Sequence, residues 1–199
     1  MRNFAWIMLL GCLVVGEVWA QQLGTSVAAL EGWRVGMEAG GYLNRNAGTG
    51  GQVRMGFGSG DTLLDAAIGN ATGERGARAQ LGVRQTLVKE EMNFPKLALR
   101  AFAESARDAE LVRRNAVGAG PILSQGFALE GVEFDGFAHP RAMLAIENTS
   151  NEFVFASALG LGLNSQMKHE GRRYVASVEL ELGFQNTPNA LMIGVATDL

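Results

Sequence analysis

The sequence predicts an all-β fold in which roughly eight to ten antiparallel strands form an up-and-down meander that closes into a barrel. Two observations predict it. Along most of the chain, hydrophobic residues alternate with polar or small residues, and short clusters of Gly, Asn, Asp and Ser separate the alternating stretches. Successive side chains of a strand point to opposite faces of its sheet, and tight turns prefer residues of those four types.

The N-terminal residues have the pattern of a secretory signal peptide. An apolar run follows Arg2, and the segment ends at Ala20, a small residue of the type found at cleavage sites. The apolar run is too short for a helix that spans a membrane. We therefore predict a signal peptide at residues 1–20, a short N-terminal segment at 21–32 and a barrel domain at 33–199.

The composition excludes several classes of protein. Cys12 is the only cysteine and lies within the predicted signal peptide, so we expect neither disulfides nor a thiolate metal site in the mature chain. The formal net charge of -3 offers no basic excess to neutralise phosphates, which argues against a nucleic-acid partner. No Pro-rich linker divides the chain, so we expect one domain after the signal peptide.

The predicted strands follow from the alternation, taken in chain order. In the first stretch Trp33 and Val35 lie opposite Arg34, and farther along Leu81 and Val83 alternate with residues such as Gly82. The clearest stretches are residues 33–43, 52–57, 77–87, 97–105, 152–164, 172–186 and 190–199. Weaker candidates are residues 62–70, 115–124, 126–137 and 140–147.

Three further predictions concern one bulge and two loops. Within 126–137 the hydrophobic positions change from odd to even numbers, and a β-bulge at Glu130-Gly131 would produce this change. The charged segments from Arg107 to Arg114 and from Ser165 to Arg173 are predicted to be longer loops.

The stretch RRYVASVELELGFQN, residues 172–186, shows why the two faces matter. Val178 and Leu180 belong to one face, whereas Glu179 and Glu181 belong to the other. In a soluble barrel the apolar face points inward. In a membrane-spanning barrel it points outward to lipid, and the polar face lines the interior.

Three features favour the transmembrane arrangement. The polar face is rich in Gly and Ala, as in residues 156–162, which suits a narrow interior that also holds large side chains. Tyr174 and Phe184 lie ten residues apart on one face, a separation that spans roughly 25 Å in a tilted strand, the height of the apolar band of a membrane barrel. The polar face also carries charges of both signs. We predict an interior ion-pair network that holds the barrel closed, formed by Arg78, Arg84, Arg100, Glu104, Glu179 and Glu181.

With these strands and faces, residues 33–199 resemble the small bacterial outer-membrane β-barrel proteins of the OmpA/OmpX-like class. The resemblance implies a location in the cell outer membrane, contact with its lipids, and insertion by the barrel-assembly machinery. In that class the machinery reads the end of the last strand, which here is Leu199. A structural, surface-contact or porin-like narrow-channel role is expected.

Candidate catalytic chemistry is sparse. The sequence contains no Gly-x-Ser-x-Gly nucleophile turn, phosphate-binding loop or nucleotide fingerprint, so we predict a non-enzymatic protein without a cofactor or metal. Glu179 and Glu181 have the spacing of possible paired carboxylates, but arginine partners favour a structural network. Two alternatives remain open: a soluble lipocalin-like barrel around an apolar ligand, and a barrel-borne lipid hydrolase that uses His139 with Ser124 or Ser157.

Overall fold

The structure is a computed structural model. It describes residues 32–43, 48–71, 77–91, 94–107, 113–130, 132–147, 153–185, 187 and 189–199. The predicted signal peptide and nearly all of the predicted N-terminal segment lie outside the described residues. No helix within the described part of the chain is long and apolar enough to cross a membrane.

Ten antiparallel strands run through the described residues, and each is paired with its neighbours in the sequence. They are β1 Gly32–Tyr42, β2 Thr49–Ser59, β3 Thr62–Ala71, β4 Ala77–Val88, β5 Lys96–Arg107, β6 Arg113–Leu129, β7 Val132–Glu147, β8 Phe153–His169, β9 Arg172–Gln185 and β10 Ala190–Asp198. The first strand also pairs with the last, so the sheet closes. The predicted closed antiparallel meander is confirmed, at the upper end of the expected strand count.

The two ends of the barrel differ. At one end, where β1 begins and β10 finishes, the connections include short turns such as Gly60-Asp61; we call this the terminus end. The opposite end, which we call the loop end, carries the connections from β1 to β2, β3 to β4, β5 to β6, β7 to β8 and β9 to β10. Residues of all five connections lie partly outside the described residues.

The predicted long loop from Ser165 to Arg173 is wrong. Strand β8 continues to His169 and β9 begins at Arg172, so only Glu170 and Gly171 connect them. Both residues have positive φ, 50° and 79°, and a two-residue turn with positive φ at both positions matches the natural twist of a β-hairpin. The charged residues that signalled a loop instead belong to strand ends at the terminus end.

The predicted β-bulge at Glu130-Gly131 is also wrong. Leu129 pairs with Val132, which closes a hairpin between β6 and β7, and Glu130 lies in the turn with φ of 50°. Residues 126–137 are therefore the end of one strand and the start of the next. The odd-to-even change in the hydrophobic positions arises because the chain reverses there.

The two faces of the sheet are oriented as a transmembrane barrel requires. On β9, Glu179 and Glu181 are fully buried in the interior, whereas Val178 between them is 39% exposed on the outer surface. On β8, the exposed Leu161 likewise faces outward. The soluble lipocalin-like alternative required the leucines of β8 and β9 to face inward, so the structure contradicts it.

Candidate functional site in the barrel interior

The interior of the barrel is ionic. Alternation along each strand directs charged side chains inward, where they have little contact with solvent. The buried charged residues are Arg34, Arg54, Arg78, Arg84, Arg100 and Arg141, with Glu38, Asp65, Asp135, Glu179 and Glu181. Buried charges are tolerated when they are paired and hydrogen-bonded, so the arrangement of these groups determines the stability of the barrel.

Asp65 on β3 is at the centre of the first cluster. Its Oδ1 atom accepts a hydrogen bond from Nη2 of Arg100 at 2.8 Å and another from Nη1 of Arg54. Arg54 also donates through Nε to Oε1 of Glu38 at 2.9 Å. One carboxylate therefore joins arginines of β2 and β5, and the second carboxylate extends the cluster to β1.

Gln80 on β4 links this cluster to another ion pair. Its amide oxygen accepts a hydrogen bond from Arg54 at 3.3 Å, and its amide nitrogen donates to Glu104 at 3.2 Å. Glu104 in turn pairs with Arg78. Polar contacts thus run without interruption from Glu38 on β1 to Glu104 on β5, and we call this chain of contacts the β1–β5 network.

A second cluster lies on the other side of the interior. Arg141 on β7 lies 3.5 Å from Oε1 of Glu179 and also pairs with Glu181, and both glutamates belong to β9. Strand β8 separates them in the sheet but places Gly160 at this level, and a Cβ atom there would overlap the Glu179 carboxylate. The absence of a side chain on β8 is what allows β7 and β9 to be bridged.

Other inward glycines have the same role. A Cβ atom at Gly82 would lie 2.6 Å from Nη2 of Arg100, and a Cβ atom at Gly118 would lie 2.8 Å from a ring carbon of Phe102. Both distances are shorter than real Cβ contacts, so each large inward side chain occupies space that a neighbouring glycine leaves empty. The glycine-rich polar face of the sequence is explained by this packing.

The residues predicted for the interior network are divided between the two clusters. Arg78 pairs with Glu104, and Arg100 joins the β1–β5 network through Asp65. Glu179 and Glu181 belong to the second cluster. Arg84 is 1% exposed and lies across the ladder from Arg100, directed into the same interior.

Sequence reasoning did not identify the two residues that connect the predicted ones, Asp65 and Arg141. Asp65 lies within Leu63-Leu64-Asp65-Ala66-Ala67, where apolar residues on both faces hide the alternation. Arg141 follows Pro140, and a proline is an unfavourable signal for a strand interior. Strands β4 and β5 carry more inward arginines than inward carboxylates. This excess was the sequence signal for a further acidic residue on another strand.

The histidine proposed for catalysis is buried without a hydrogen-bonding partner in the described residues. His139 on β7 is fully buried, and neither ring nitrogen makes a hydrogen bond there. Ser124 also faces inward, whereas Ser157 belongs to the outward positions of β8. The described residues contain no group of three or more His, Cys, Asp or Glu side chains arranged to hold a metal ion.

A small cavity adjoins the β1–β5 network. Its volume is about 30 Å³, enough for a water molecule, and Arg34, Glu38, Arg54 and Asp65 form part of its lining. Ser177 lines the side formed by β9. The Oδ2 atom of Asp65 has no hydrogen-bonding partner in the described residues, which fits a hydrated cavity.

Aromatic residues mark both ends of the outer surface. At the terminus end, Trp33 and Phe57 have ring centroids 5.1 Å apart. At the loop end, Phe153 and Phe184 are 67% and 70% exposed. Exposed aliphatic residues such as Ile68 occupy the surface between these positions. Two aromatic girdles around an apolar band are typical of barrels that cross a membrane.

Comparison with solved structures agrees with this geometry. The β domain of the Bordetella autotransporter BrkA matches at 12% identity and a TM-score of 0.53, covering 84% of this chain and 98% of that chain. The fold is that of an outer-membrane β-barrel. No protein-family model and no curated protein matches the chain.

Two other solved barrels match over most of their length. The transport unit of the autotransporter AIDA-I from Escherichia coli matches at 11% identity and a TM-score of 0.41, covering 98% of this chain and 96% of that chain. The N-terminal β-barrel domain of Pseudomonas aeruginosa OprF matches at 11% identity and a TM-score of 0.33, covering 82% and 96%.

Proposed function

We propose that this protein is a structural barrel of the bacterial outer membrane, closed by its own interior side chains and without a catalytic role. Its partners would be the surrounding lipids and, during insertion, the barrel-assembly machinery. The connections at the loop end would provide surface contacts. The interior network containing Arg78, Arg100 and Glu104 would hold the strands in their closed arrangement.

The observation that carries this proposal is the orientation of the two faces. Val178 and Ile193 are exposed on the outside, while Glu179 is fully buried inside. A barrel in water gains free energy by burying its apolar face, whereas hydrocarbon favours the reverse orientation. A continuous apolar band with aromatic girdles is therefore the surface expected for contact with lipid.

The filled interior supports a structural role over a wide pore. Among the large side chains that are fully buried are Arg100, Ile122, His139, Glu179 and Met192. They come from β5, β6, β7, β9 and β10, so the packing extends around much of the circumference. A barrel interior filled in this way resembles a protein core more than an aqueous channel.

A further backbone contact extends the closure between β1 and β10. The backbone N–H of Leu199 donates a hydrogen bond to the carbonyl of Trp33 at 2.9 Å. Leu199 is therefore part of the contact between β1 and β10 that closes the barrel.

A narrow channel is a second candidate function, and the small cavity beside Arg54 and Asp65 favours it. Water in a cavity beside charged side chains would support passage of protons or very small ions when those side chains move. Widening this cavity requires displacement of the ion pair between Arg54 and Glu38. The two proposed functions differ in one property: an unmodified structural barrel does not conduct ions, whereas a narrow channel does.

Cell fractionation followed by gels of unheated and boiled samples tests the location. We expect the protein in the outer-membrane fraction, with a band that changes mobility on boiling. Release from cells into the periplasm without detergent would reject the proposal. Conductance of planar bilayers containing the purified protein then separates the functions, because a structural barrel leaves the bilayer insulating and a narrow channel does not.

A further inference from the structure

The β8–β9 hairpin concentrates positive charge at the terminus end of the barrel. Strand β8 ends with Lys168 and His169, and β9 begins with Arg172 and Arg173; we call these four residues the basic tip. Lys168 lies directly opposite Arg173, and His169 lies opposite Arg172. Like charges that face each other across a ladder are destabilising, so the pair of Lys168 and Arg173 favours an anion nearby.

The chain supplies little negative charge to compensate the basic tip. Arg173 lies 3.8 Å from Asp198 of β10, and His169 lies 3.6 Å from Glu170 in the turn. Such partly exposed pairs are weak because water screens them. Lys168 and Arg172 are exposed and form no ion pair within the described residues. These two cations are therefore available to an anion from outside the chain.

The positive charge is specific to this hairpin. At another turn of the terminus end, Lys89 is paired with Asp61. The neighbouring β6–β7 hairpin is acidic, with Glu130 in its turn and Glu133 beside it. The whole chain has a formal net charge of -3, so the basic tip does not reflect a generally basic surface.

The outer face of the same hairpin continues the surface that contacts lipid. Alternation from the exposed Val178 places Tyr174 and Arg172 on the outer face of β9. Met167 of β8 lies opposite Tyr174 and is 41% exposed. Toward the turn, an apolar and an aromatic side chain are thus followed directly by a cation.

Tyr174 belongs to the aromatic girdle of the terminus end. It pairs with Thr197 of β10, and two residues later the backbone N–H of Leu199 donates to the carbonyl of Trp33. Arg172 lies two residues nearer the turn, roughly 7 Å along the strand. Aromatic side chains of membrane proteins lie at headgroup level, and long cationic side chains extend from there toward the phosphates. This position places Arg172 within reach of a lipid phosphate.

We propose that the basic tip binds the phosphate group of an anionic phospholipid in the leaflet at the terminus end. The proposal rests on the proposed membrane location. The acyl chains of this lipid lie against Met167 and Tyr174, and the guanidinium of Arg172 contacts two phosphate oxygens. Lys168 adds positive potential from the opposite face of the hairpin. A zwitterionic lipid carries its own cation beside the phosphate and is attracted less strongly.

Fluorescence quenching by brominated lipids tests the site. In the full chain, Trp6, Trp19 and Trp33 are replaced with phenylalanine, and Tyr174→Trp then places a single tryptophan beside the basic tip. Leu87→Trp in the same background is the matched control. Leu87 is 59% exposed on β4 at the same end of the barrel, near the ion pair of Lys89 and Asp61.

Each protein is placed in vesicles of phosphatidylcholine that contain a minor fraction of phosphatidylglycerol, with one of the two lipids brominated. Comparing the two brominated mixtures gives the binding constant of phosphatidylglycerol relative to phosphatidylcholine at each tryptophan. At low salt we expect about fivefold preference for phosphatidylglycerol at position 174, the effect of one Lys or Arg near a membrane surface, and no preference at position 87. High salt should remove the preference because it screens exposed charges.

Substitutions in the basic tip identify the residues responsible. Adding Lys168→Gln and Arg172→Gln to the Tyr174→Trp protein should reduce its preference to that of the control position. Adding Lys89→Gln instead, which removes an exposed lysine at the same end, should leave the preference unchanged. Equal constants at positions 174 and 87, or a preference that survives the double substitution, would overturn the proposal.

The mobility shift on boiling separates this proposal from the proposed location. A protein whose band shifts but which shows no lipid preference at position 174 retains the membrane barrel and rejects the lipid site; an acidic soluble partner would then be the occupant of the basic tip. A protein without a band shift rejects both the location and the lipid site.

Discussion

The guanidinium of Arg141 lies 3.5 Å from the carboxylate of Glu179, although a complete strand separates β7 from β9. The contact crosses the interior over Gly160 of β8. It shows how this barrel combines a small circumference with large charged side chains: a glycine on one strand makes room for an ion pair between its two neighbours.

Replacing Gly160 with alanine should therefore destabilise the barrel. The added Cβ atom would overlap the Glu179 carboxylate, and overpacking of this kind costs about 1–3 kcal/mol. The measurement is the temperature at which the compact band of an unheated sample converts to the unfolded band. Gly136→Ala is the matched control, because a Cβ atom there has its nearest contact at 3.6 Å. Equal transition temperatures for the two variants would contradict the packing role of Gly160.

Asp65→Asn should be strongly destabilising. Asp65 accepts hydrogen bonds from Arg54 and Arg100 with its side chain 1% exposed, and removing one partner of a buried ion pair typically costs about 3–5 kcal/mol. Urea unfolding of the vesicle-embedded protein gives the change in free energy. Asp61→Asn is the control, since Asp61 pairs with the exposed Lys89, and such surface pairs contribute about 0–1 kcal/mol. A smaller effect at position 65 than at position 61 would count against the β1–β5 network.

Removing the second cluster should open the barrel to ions. The double variant Arg141→Ala and Glu179→Ala removes two side chains that are almost fully buried in the interior. We expect discrete conductance steps in planar bilayers for this variant and insulating bilayers for the unmodified protein. Phe184→Ala, which truncates a side chain on the outer surface, should remain insulating. Identical conductance of the double variant and the unmodified protein would show that this cluster does not close the lumen.

Trp33 should report the depth of the terminus end in the membrane. It is 53% exposed on the outer surface beside Phe57, and removal of residues 1–20 would leave it as the only tryptophan of the chain. Lipids brominated near the headgroup should quench its fluorescence more than lipids brominated near the chain end, because interfacial aromatic residues lie at headgroup level. Efficient quenching by aqueous acrylamide with none by brominated lipid would contradict contact with the membrane.

The sequence by itself determined most of the strands and the identity of the two faces. Alternation across Val178, Glu179, Leu180 and Glu181 is a local property, since the period of a strand directs adjacent side chains apart whatever the rest of the chain does. The same logic identified charged inward positions such as Arg78 and Arg100. This reasoning from alternation failed at Glu130. The hydrophobic positions change there from odd to even numbers, which we interpreted as a β-bulge, but the residue lies in the turn of a hairpin.

Only the tertiary structure decided which charges meet. Asp65 joins Arg54 and Arg100 because closure and register bring β2, β3 and β5 to one level of the interior. Contacts of this kind depend on the stagger between strands that are distant in sequence, and a one-residue slip would change every partner. Local alternation carries no information about that stagger.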